Sequence, residues 1–187
     1  MRKNFGVKPW CYPQPVFILA AYDENGVPNA MNVAWGGIHY DDQIAMCISA
    51  NHKTTANILA SKAFTVSMAD EKNMIACDYV GVASGNKTPD KFQKAGFTAT
   101  KSEFVNAPII DQLPMTIECK LISYDPETCN LIGEIVNISA DESILDENGK
   151  IDPEKLKPIT FDPIHNAYRV IGDKVGNAFR DGLKLKQ

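Results

Sequence analysis

No stretch of the 187-residue sequence approaches the ~20 consecutive apolar residues of a membrane-spanning helix. The longest apolar run, residues 16–22, has the length of a strand. The N-terminus carries charged residues but has no hydrophobic stretch of the signal-peptide type ahead of its prolines. We therefore expect a cytoplasmic protein without a membrane partner.

The sequence also lacks an excess of positive charge. Its 19 lysines and arginines stand against 23 aspartates and glutamates, which gives a formal net charge of −4. The overall electrostatic field therefore offers no attraction for nucleic acid. A nucleic-acid-binding barrel of the OB type is further disfavoured, because arginines and lysines are not interleaved with aromatic residues.

Closely spaced metal ligands are missing as well. The five cysteines form no Cys-x-x-Cys pair, and the three histidines show no His-x-His or His-Glu-x-x-His spacing. We therefore predict no metal site. Cys47 and Cys119 lie in apolar, strand-like runs and are expected to be buried, reduced thiols. Cys11 lies outside any such run, and its reactivity stays open.

The signatures of several enzyme classes are absent. No Gly-x-Ser-x-Gly motif indicates a hydrolase nucleophile. No Gly-x-Gly-x-x-Gly motif and no alternation of strands with helices indicates a Rossmann domain. The chain length is typical of one domain, which we place at residues 1–187.

What the chain does contain is a series of short strand patterns separated by turns. An apolar run at residues 16–22 and an alternating run at 27–35 flank an Asp-Glu-Asn-Gly turn, as in a hairpin. Gly36 and Gly37 are expected to end the regular structure there. Further strands are predicted at residues 43–49, 63–68, 115–124 and 131–140, the last of them apolar on both faces.

Helical patterns are fewer. One covers residues 54–60, and a short helix is expected within 71–78. Thr88 as N-cap with Pro89 at the first position predicts a third helix, which Gly96 ends. Short strands with few helices favour a mainly β fold, and a closed or nearly closed barrel over a sandwich.

Residues 49–57, Ser-Ala-Asn-His-Lys-Thr-Thr-Ala-Asn, join a strand to a helix. The first turn of a helix usually carries Asp or Glu, because its N–H groups are partly positive. Here His52, Lys53 and two threonines occupy these positions and no acid does. Such a start suits a bound phosphate, to which N–H groups, lysine and threonine all donate. The competing interpretation is an ordinary polar cap beside a solvated lysine.

Two further segments have patterns typical of ligand-binding walls. Residues 32–37 place Trp35 and two glycines at a strand end, where the backbone can approach a flat ligand closely. The alternative there is a core tryptophan followed by a loop. Residues 77–85 combine glycines with Asp78, Tyr79 and Ser84, which is consistent with a pocket wall, a subunit edge or an irregular packed loop.

Taken together, these segments resemble the flavin reductase-like, FMN-binding split-barrel family, and in particular its flavoredoxin-type members. Each motif is short, but their order and spacing along most of the chain make the combination specific. The resemblance rests on the segments Pro-Gln-Pro-Val (13–16), NAMNVAWGG (29–37), CISANHKTTANI (47–58), DYVGVASGNKTPDKF (78–92) and AYRVIGDKVGNAF (167–179).

The resemblance implies a six-stranded antiparallel Greek-key split barrel with flanking helices, assembled as a homodimer. It also implies non-covalent FMN near the subunit interface. Residues 32–36 would border the isoalloxazine ring, and Ser49, Asn51, Lys53, Thr54 and Thr55 would hold the ribityl chain and the phosphate. The implied cofactor-binding residues are Asn32, Val33, Ala34, Trp35, Gly36, Ser49, Ala50, Asn51, Lys53, Thr54, Thr55, Asn57, Asp78, Tyr79, Ser84, Lys91 and Tyr168.

The chemistry implied by the resemblance is hydride and electron transfer by the flavin, with orientation and electrostatics supplied by the protein. Reduced nicotinamide, NAD(P)H, is the expected hydride donor, and free flavin, a ferric complex, a quinone or a protein the electron acceptor. No catalytic side chain is assigned. The alternative is an FMN-bearing electron carrier that a protein partner reduces without nicotinamide.

Overall fold

The computed structural model of the protein describes residues 1–186 and is mainly β. In chain order, the strands of these residues are β1 (Gln14–Pro15), β2 (Phe17–Tyr22), β3 (Pro28–Val33), β4 (Gly36–Tyr40), β5 (Gln43–Cys47), β6 (Ala63–Met68), β7 (Ala99–Lys101), β8 (Pro108–Ile110), β9 (Met115–Asp125), β10 (Asn130–Ala140), β11 (Ile159–Asp162) and β12 (Ala167–Val170).

The helices are short. Residues 1–186 contain α1 (Lys53–Ser61), α2 (Met74–Val82), α3 (Lys91–Lys94), α4 (Pro153–Leu156) and the 3-10 segments Glu142–Ile144 and Asp181–Leu185. None of the helices in this part of the chain is long and apolar enough to cross a membrane.

A curled antiparallel sheet organises the molecule, with the strand order β3-β2-β6-β9-β10-β5-β4. Its longest strands, β9 and β10, pair as a hairpin whose register shifts between Ile132 and Gly133 and again between Ile135 and Asn137. Such bulges increase local twist and so help the sheet to curl. Two smaller sheets, β1-β11-β12 and β7-β8, flank it.

Strand β2 is buried on both faces, which explains its uninterrupted apolar sequence. Phe17, Leu19 and Ala21 belong to the core enclosed by the curled sheet. Ile18 and Ala20 face the opposite way, into a second core that includes residues of α2, α3 and β11. The sheet therefore separates two cores, and α2 and α3 cover its outer face.

The predicted mainly β, antiparallel barrel-like architecture is confirmed. The connection from β5 through α1 to β6 leads from near one end of the strand order to its middle, as Greek-key connections do. The sheet has seven strands rather than six, because Gly36 and Gly37 begin β4 instead of ending the regular structure. Gly36 pairs with Met46, and a Cβ on Gly36 would lie 2.6 Å from Met46 Cγ. The missing side chain is what permits this pairing.

The second helix starts later than its sequence pattern indicates. The prediction placed it within residues 71–78, whereas α2 covers Met74–Val82. Asp70 Oδ1 accepts a 2.7 Å hydrogen bond from the backbone N–H of Asn73, which holds the preceding residues in a turn. A side-chain bond of this kind competes with the helical backbone pattern.

The third helix also differs from its prediction at the N-terminus. Thr88 is not its N-cap, because α3 begins at Lys91 and residues 88–90 form a turn in which the Lys91 N–H donates to the Thr88 carbonyl at 3.1 Å. Gly96 has a φ of +78° and ends the helical region as predicted.

The expectation that both strand cysteines are buried is wrong for Cys47. Cys119 is fully buried, but Cys47, the last residue of β5, is exposed. Period-2 alternation places Cys47 on the face opposite to Met46, which points into the core. Burial raises the pKa of the Cys119 thiol to about 12, so it behaves as a small apolar side chain.

Candidate functional site

The start of α1 leaves backbone donors unused. Its N-cap residue, His52, has an extended backbone and makes no side-chain capping bond, and the first turn contains no acid. Within residues 1–186, the N–H groups of Lys53, Thr54 and Thr55 have no acceptor. Because these N–H groups carry the positive end of the helix dipole, they form a site at which an anion is stabilised.

Lys91 is a buried cation beside this helix start. Its side chain is 3% exposed, and its Nζ donates to the carbonyl oxygens of Val80 at 2.8 Å and Ala83 at 2.9 Å. These carbonyls belong to the C-terminal end of α2. Burial lowers the pKa of Lys91 to about 8. In residues 1–186 no carboxylate pairs with it, so an anion in the adjoining cavity would find an uncompensated positive charge.

Lys53 is less available than its position suggests. Its Nζ lies 3.6 Å from Asp23 Oδ2. Asp23 also accepts bonds from the backbone N–H groups of Val27 and Asn25, and these bonds keep the pKa of Asp23 below its ordinary value. The turn between β2 and β3 therefore supplies a fixed carboxylate that offsets part of the Lys53 charge.

His52 carries less positive charge than the sequence pattern suggested. Partial burial, followed by the nearby charge of Lys91, lowers the pKa of His52 below its ordinary value. The imidazole is therefore neutral at pH 7 and can accept as well as donate hydrogen bonds. The cationic character of this region comes from Lys53 and Lys91.

The helix start is locked to two neighbouring segments. Thr54 Oγ1 donates a 2.8 Å hydrogen bond to Asn29 Oδ1, a buried contact between α1 and β3. Gly85, in the loop after α2, packs against the same amide, because a Cβ there would lie 2.8 Å from Asn29 Nδ2 and 3.1 Å from Lys53 Cβ. The glycine is required for this close approach, and the three segments therefore form one rigid wall.

Two joined cavities lie along this wall. One of about 330 Å³ extends over the end of β3, and one of about 250 Å³ extends toward the start of α1. They are bordered in common by five residues, so together they form one continuous cleft. The shared residues are Met31, Asn32, His52, Gly81 and Val82.

Aromatic side chains form one side of the larger cavity. The Trp35 and Phe161 ring centroids are 6.4 Å apart, and those of Phe161 and Tyr168 are 6.1 Å apart. Trp35 is 49% exposed, so a large part of its ring is available to a ligand or a partner. The rings are tilted by 45° and 53° to one another, so they form an angled aromatic wall whose exposed faces can contact an aromatic ligand.

A carboxylate holds the β11–β12 hairpin that carries Phe161 and Tyr168. Asp162 is 1% exposed and accepts hydrogen bonds from the Tyr12 hydroxyl, from Arg169 Nε at 2.9 Å and from His165 Nδ1 at 2.9 Å. The Tyr12 hydroxyl and then Arg169 and His165 hold the pKa of Asp162 far below its usual range. The hairpin is therefore fixed by an ionised group.

Two polar contacts fix the wall of the larger cavity to α2. Tyr168 donates a 2.7 Å hydrogen bond to Asp78 Oδ1, and Asn32 Nδ2 donates to the Cys77 carbonyl at 3.2 Å. Burial, and next the bond to Asp78, raise the pKa of Tyr168 well above its ordinary value. Tyr168 therefore stays protonated throughout the physiological pH range and keeps its role as a donor.

The structure brings together many of the predicted site residues, although they come from distant parts of the chain. Those that line the joined cavities are Asn32, Val33, Ala34, Trp35, Lys53, Thr54, Asp78, Ser84, Lys91 and Tyr168. Those that do not line them are Gly36, Ser49, Ala50, Asn51, Thr55, Asn57 and Tyr79.

Some of the predicted residues that do not line the cavities support those that do. Thr55 Oγ1 donates to the Ser49 carbonyl at 2.8 Å, and Ser49 Oγ accepts from the Asn51 N–H at 3.3 Å. These bonds shape the loop that precedes α1. Asn57 lies within α1 and is buried, and Gly36 faces Met46 rather than the cavities.

Several lining residues were missed by sequence reasoning. Gly81 and Gly85 lie in the glycine-containing segment already singled out, and their role could have been found there. His52 lines both cavities but is not among the cofactor-binding residues that the resemblance implies. Asn29 and Phe161 had no local signal, because only tertiary packing brings them to the cleft.

Comparison with known proteins identifies the family. The model of the flavin reductase like domain matches residues 10–160. The chain belongs to the flavin reductase-like family. Residues 10–160 include α1, α2, α3 and β3, which form most of the cleft, whereas Phe161 and Tyr168 lie just beyond the matched range.

Solved structures of similar fold cover nearly the whole chain. Flavoredoxin of Desulfovibrio vulgaris (Miyazaki F) has a TM-score of 0.92 and 35% identity, over 97% of this chain and 100% of that one. A flavoredoxin from Methanosarcina acetivorans has a TM-score of 0.85 and 26% identity, over 99% of this chain and 98% of that one. The FMN-binding domain of a flavin reductase-like enzyme from Shewanella baltica has a TM-score of 0.76 and 18% identity, over 88% and 89%, and shows the shared fold alone.

Proposed function

We propose that the chain binds one FMN non-covalently in the joined cavities and acts as a flavin-dependent oxidoreductase. The observation that carries this proposal is the placement of the uncapped start of α1 and the buried ammonium of Lys91 on one cavity. Backbone N–H groups and a lysine ammonium are donors that suit a phosphate monoester. The threonine hydroxyls expected from the sequence to donate are not free, because Thr54 donates to Asn29 Oδ1 and Thr55 to the Ser49 carbonyl.

The remainder of the cleft fits the rest of FMN. A planar ring system matches the aromatic wall of Trp35, Phe161 and Tyr168 and the adjacent strand end at 32–34. A Cβ on Gly81 would lie 2.8 Å from Asn32 Cβ, so the absence of a side chain at Gly81 allows α2 to pack closely against β3. Cofactor pockets commonly measure about 300–1,000 Å³, which agrees with the cavities described above.

The relatives support the same conclusion. Two similar structures are flavoredoxins, and a third of the same fold is an FMN-binding domain. We propose that the residues lining the cleft hold this cofactor, including Asp78, Ser84 and Lys91. The whole chain then acts as one FMN-binding domain.

Bound FMN would supply the hydride and electron chemistry, and the protein would bind, orient and shield it. Lys91 and the N–H groups of α1 would hold the phosphate. Asn32 and the Tyr168–Asp78 pair would fix the position of the wall against which the ring lies. We propose NAD(P)H as hydride donor and a small molecule or protein as electron acceptor. No side chain of this chain is required as an acid or base.

A second function is favoured by one observation. The flavoredoxin of Desulfovibrio vulgaris shares 35% sequence identity with this chain over almost the full length of both chains. Nitrilotriacetate monooxygenase component B from Bacillus cereus, which has the same fold, shares 21% sequence identity. The alternative is therefore an FMN-bearing electron carrier that a protein partner reduces without nicotinamide.

Anaerobic reduction separates these functions. The flavin-loaded protein is mixed with NADH or NADPH, and the flavin absorbance band is followed. Loss of the band supports the NAD(P)H oxidoreductase. A band that persists with both nicotinamides but disappears with dithionite supports the carrier. Protein that is colourless and takes up no added FMN contradicts both functions.

We also propose that the protein is a cytoplasmic homodimer. The terminal segments 1–13 and 171–186 are largely exposed and carry apolar side chains such as Phe5, Trp10 and Phe179. Trp35, at the cavity, is also partly exposed. A second copy could cover these surfaces and complete the flavin pocket. Light scattering during size-exclusion chromatography tests this: a dimer mass is expected, and a monomer mass contradicts it.

A further inference from the structure

Cys47 and Cys129 lie beside one another at the end of two paired strands. Cys47 is opposite Asn130 in the antiparallel β5–β10 ladder, and the Ile48 N–H donates to the Cys129 carbonyl at 2.8 Å. Cys129 is therefore one residue diagonal to Cys47. A strand spacing of about 4.8 Å and a rise of about 3.3 Å place such Cα atoms roughly 6 Å apart, within the ~4.4–6.8 Å range of disulfides.

Regular strands would turn these two side chains to opposite faces, but Cys129 is not in a regular conformation. Its φ is +60°, in the left-handed region, at the end of the turn between β9 and β10. Both sulfur atoms lie against carbonyls of this turn. Cys47 Sγ is 3.9 Å from the Thr128 oxygen, and Cys129 Sγ is 3.9 Å from the Pro126 oxygen.

The hydroxyl of Tyr124, on β9, reaches the residue that follows β5. It donates a 3.0 Å hydrogen bond to the Ile48 carbonyl. Burial raises the pKa of Tyr124 above its ordinary value. Cys47 therefore approaches the β9–β10 turn from the end of β5, and Cys129 belongs to that turn.

The other cysteines differ from this pair. Cys77 and Cys119 are fully buried, and burial raises the pKa of each to about 12. Cys11 is exposed in the N-terminal segment. Cys47 is exposed as well, but it also lines the larger cavity.

We propose that Cys47 and Cys129 are a peroxide-oxidisable dithiol pair on the rim of the cleft. The Cys47 thiolate attacks one oxygen of hydrogen peroxide, the O–O bond breaks, and Cys47 sulfenic acid and hydroxide form; the hydroxide takes up the proton that the thiol had released and becomes water. The Cys129 thiolate then attacks the Cys47 sulfur, the S–O bond breaks, and hydroxide leaves; with the proton released by the Cys129 thiol it becomes a second water. The two thiols lose two electrons and two protons in total, and the peroxide is reduced to two waters.

The disulfide would tie the β9–β10 turn to β5 at the edge of the cavity. Cys47 and Ile48 both line that cavity, so the cross-link acts directly on its wall. The inference concerns the cysteines alone and does not depend on flavin being bound. It can therefore succeed or fail independently of the proposed function.

The test uses the folded, full-length Cys11→Ser variant, with and without added FMN. This background is needed because no lysine or arginine separates Cys11 from Cys47, so trypsin leaves them on one peptide. Hydrogen peroxide is added, remaining thiols are alkylated, and non-reduced digests are analysed by mass spectrometry. We expect the peptides of Cys47 and Cys129 to be cross-linked with loss of two hydrogens, and to separate after dithiothreitol treatment.

Two single variants make the assignment specific. In Cys129→Ser, Cys47 sulfenic acid should persist and be trapped by dimedone. In Cys47→Ser, Cys129 should remain a free thiol. The proposal is overturned if the protein that contains both cysteines accumulates a Cys47–dimedone adduct with Cys129 still free, or if peroxide leaves both thiols unchanged.

Discussion

Lys91 Nζ donates a 2.8 Å hydrogen bond to the carbonyl oxygen of Val80, at the C-terminal end of α2. The ammonium is thus held in a buried position by carbonyl dipoles, and no carboxylate of residues 1–186 neutralises it. A buried charge without a counterion is costly. A phosphate bound at the start of α1 would supply that counterion, and this relationship is the basis of the first two predictions.

Lys91→Met should weaken FMN binding more than riboflavin binding. The variant removes a charge-assisted donor, which contributes about 1.5–3 kcal/mol, so the FMN dissociation constant should rise by about tenfold or more. Riboflavin has no phosphate and should be affected less. Fluorescence titration of both flavins measures the ratio, and Lys87→Met, at an exposed lysine in the loop before α3, is the control. An unchanged ratio of FMN to riboflavin affinity in Lys91→Met would remove Lys91 from the phosphate site.

FMN affinity should decrease as pH rises above about 8, the pKa of Lys91. A phosphate monoester is a dianion by then, since its second pKa is about 6, so the lost charge is that of the lysine. Titrations between pH 7 and 9 should show the decrease in the unmodified protein and a flatter profile in Lys91→Met. Identical profiles for the two proteins would contradict the assignment.

The same group has the opposite effect on folding. The unfolded chain holds the Lys91 proton up to about pH 10.5, whereas the folded protein releases it near pH 8. The unfolded state therefore binds more protons between these values, and this group makes the free energy of unfolding rise with pH in that window. Denaturant titrations of flavin-free protein should show this contribution as a difference from Lys91→Met.

Lys53→Glu should weaken FMN binding and also perturb the turn between β2 and β3. The new carboxylate would lie at the N-terminus of α1, where it would repel a bound phosphate. It would also repel Asp23, which in the unmodified protein lies 3.6 Å from the Lys53 ammonium. We expect a several-fold rise in the FMN dissociation constant. Lys94→Glu reverses a charge in the exposed Asp90 pair and is the control. FMN affinity equal to that of the unmodified protein would exclude Lys53 from phosphate binding.

Gly85→Ala should destabilise the wall of the cleft and reduce FMN affinity. The added Cβ would lie 2.8 Å from Asn29 Nδ2 and so would disturb the amide that accepts the Thr54 bond. Overpacking of this kind costs about 1–3 kcal/mol. Gly37→Ala is the matched control, because no atom lies within 4 Å of a Cβ at that position. Equal stability and FMN affinity in the two variants would show that the close packing at Gly85 has no role.

Local patterns in the sequence were sufficient for most strands and for α1. The alternation of residues 115–124 and the helical pattern of 54–60 depend on neighbours in the chain, so they could be predicted without tertiary information. β4 could not, because two glycines usually interrupt a strand and only the side chain of Met46 explains why Gly36 is needed. The exposure of Cys47 likewise depends on which face of β5 meets the core.

The parts of the candidate site that could be predicted are those formed by residues adjacent in the sequence. The acid-free helix start at Lys53 is visible in the sequence, but its ion pair with Asp23 is not. Lys91 lies 38 residues further along the chain, and Phe161 lies in a separate sheet. Their presence at the cleft results from the packing of α2, α3 and the β11–β12 hairpin against β3, which no local pattern encodes.

The most direct test of the central claim is a titration of flavin-free protein with FMN, followed through the fluorescence of Trp35. The chain has two tryptophans, and Trp10→Phe leaves Trp35, which lines the larger cavity, as the single reporter. We predict quenching that reaches its limit at one FMN per chain. FMN that leaves the Trp35 fluorescence unchanged, or that does not bind, would contradict a flavin site in this cleft.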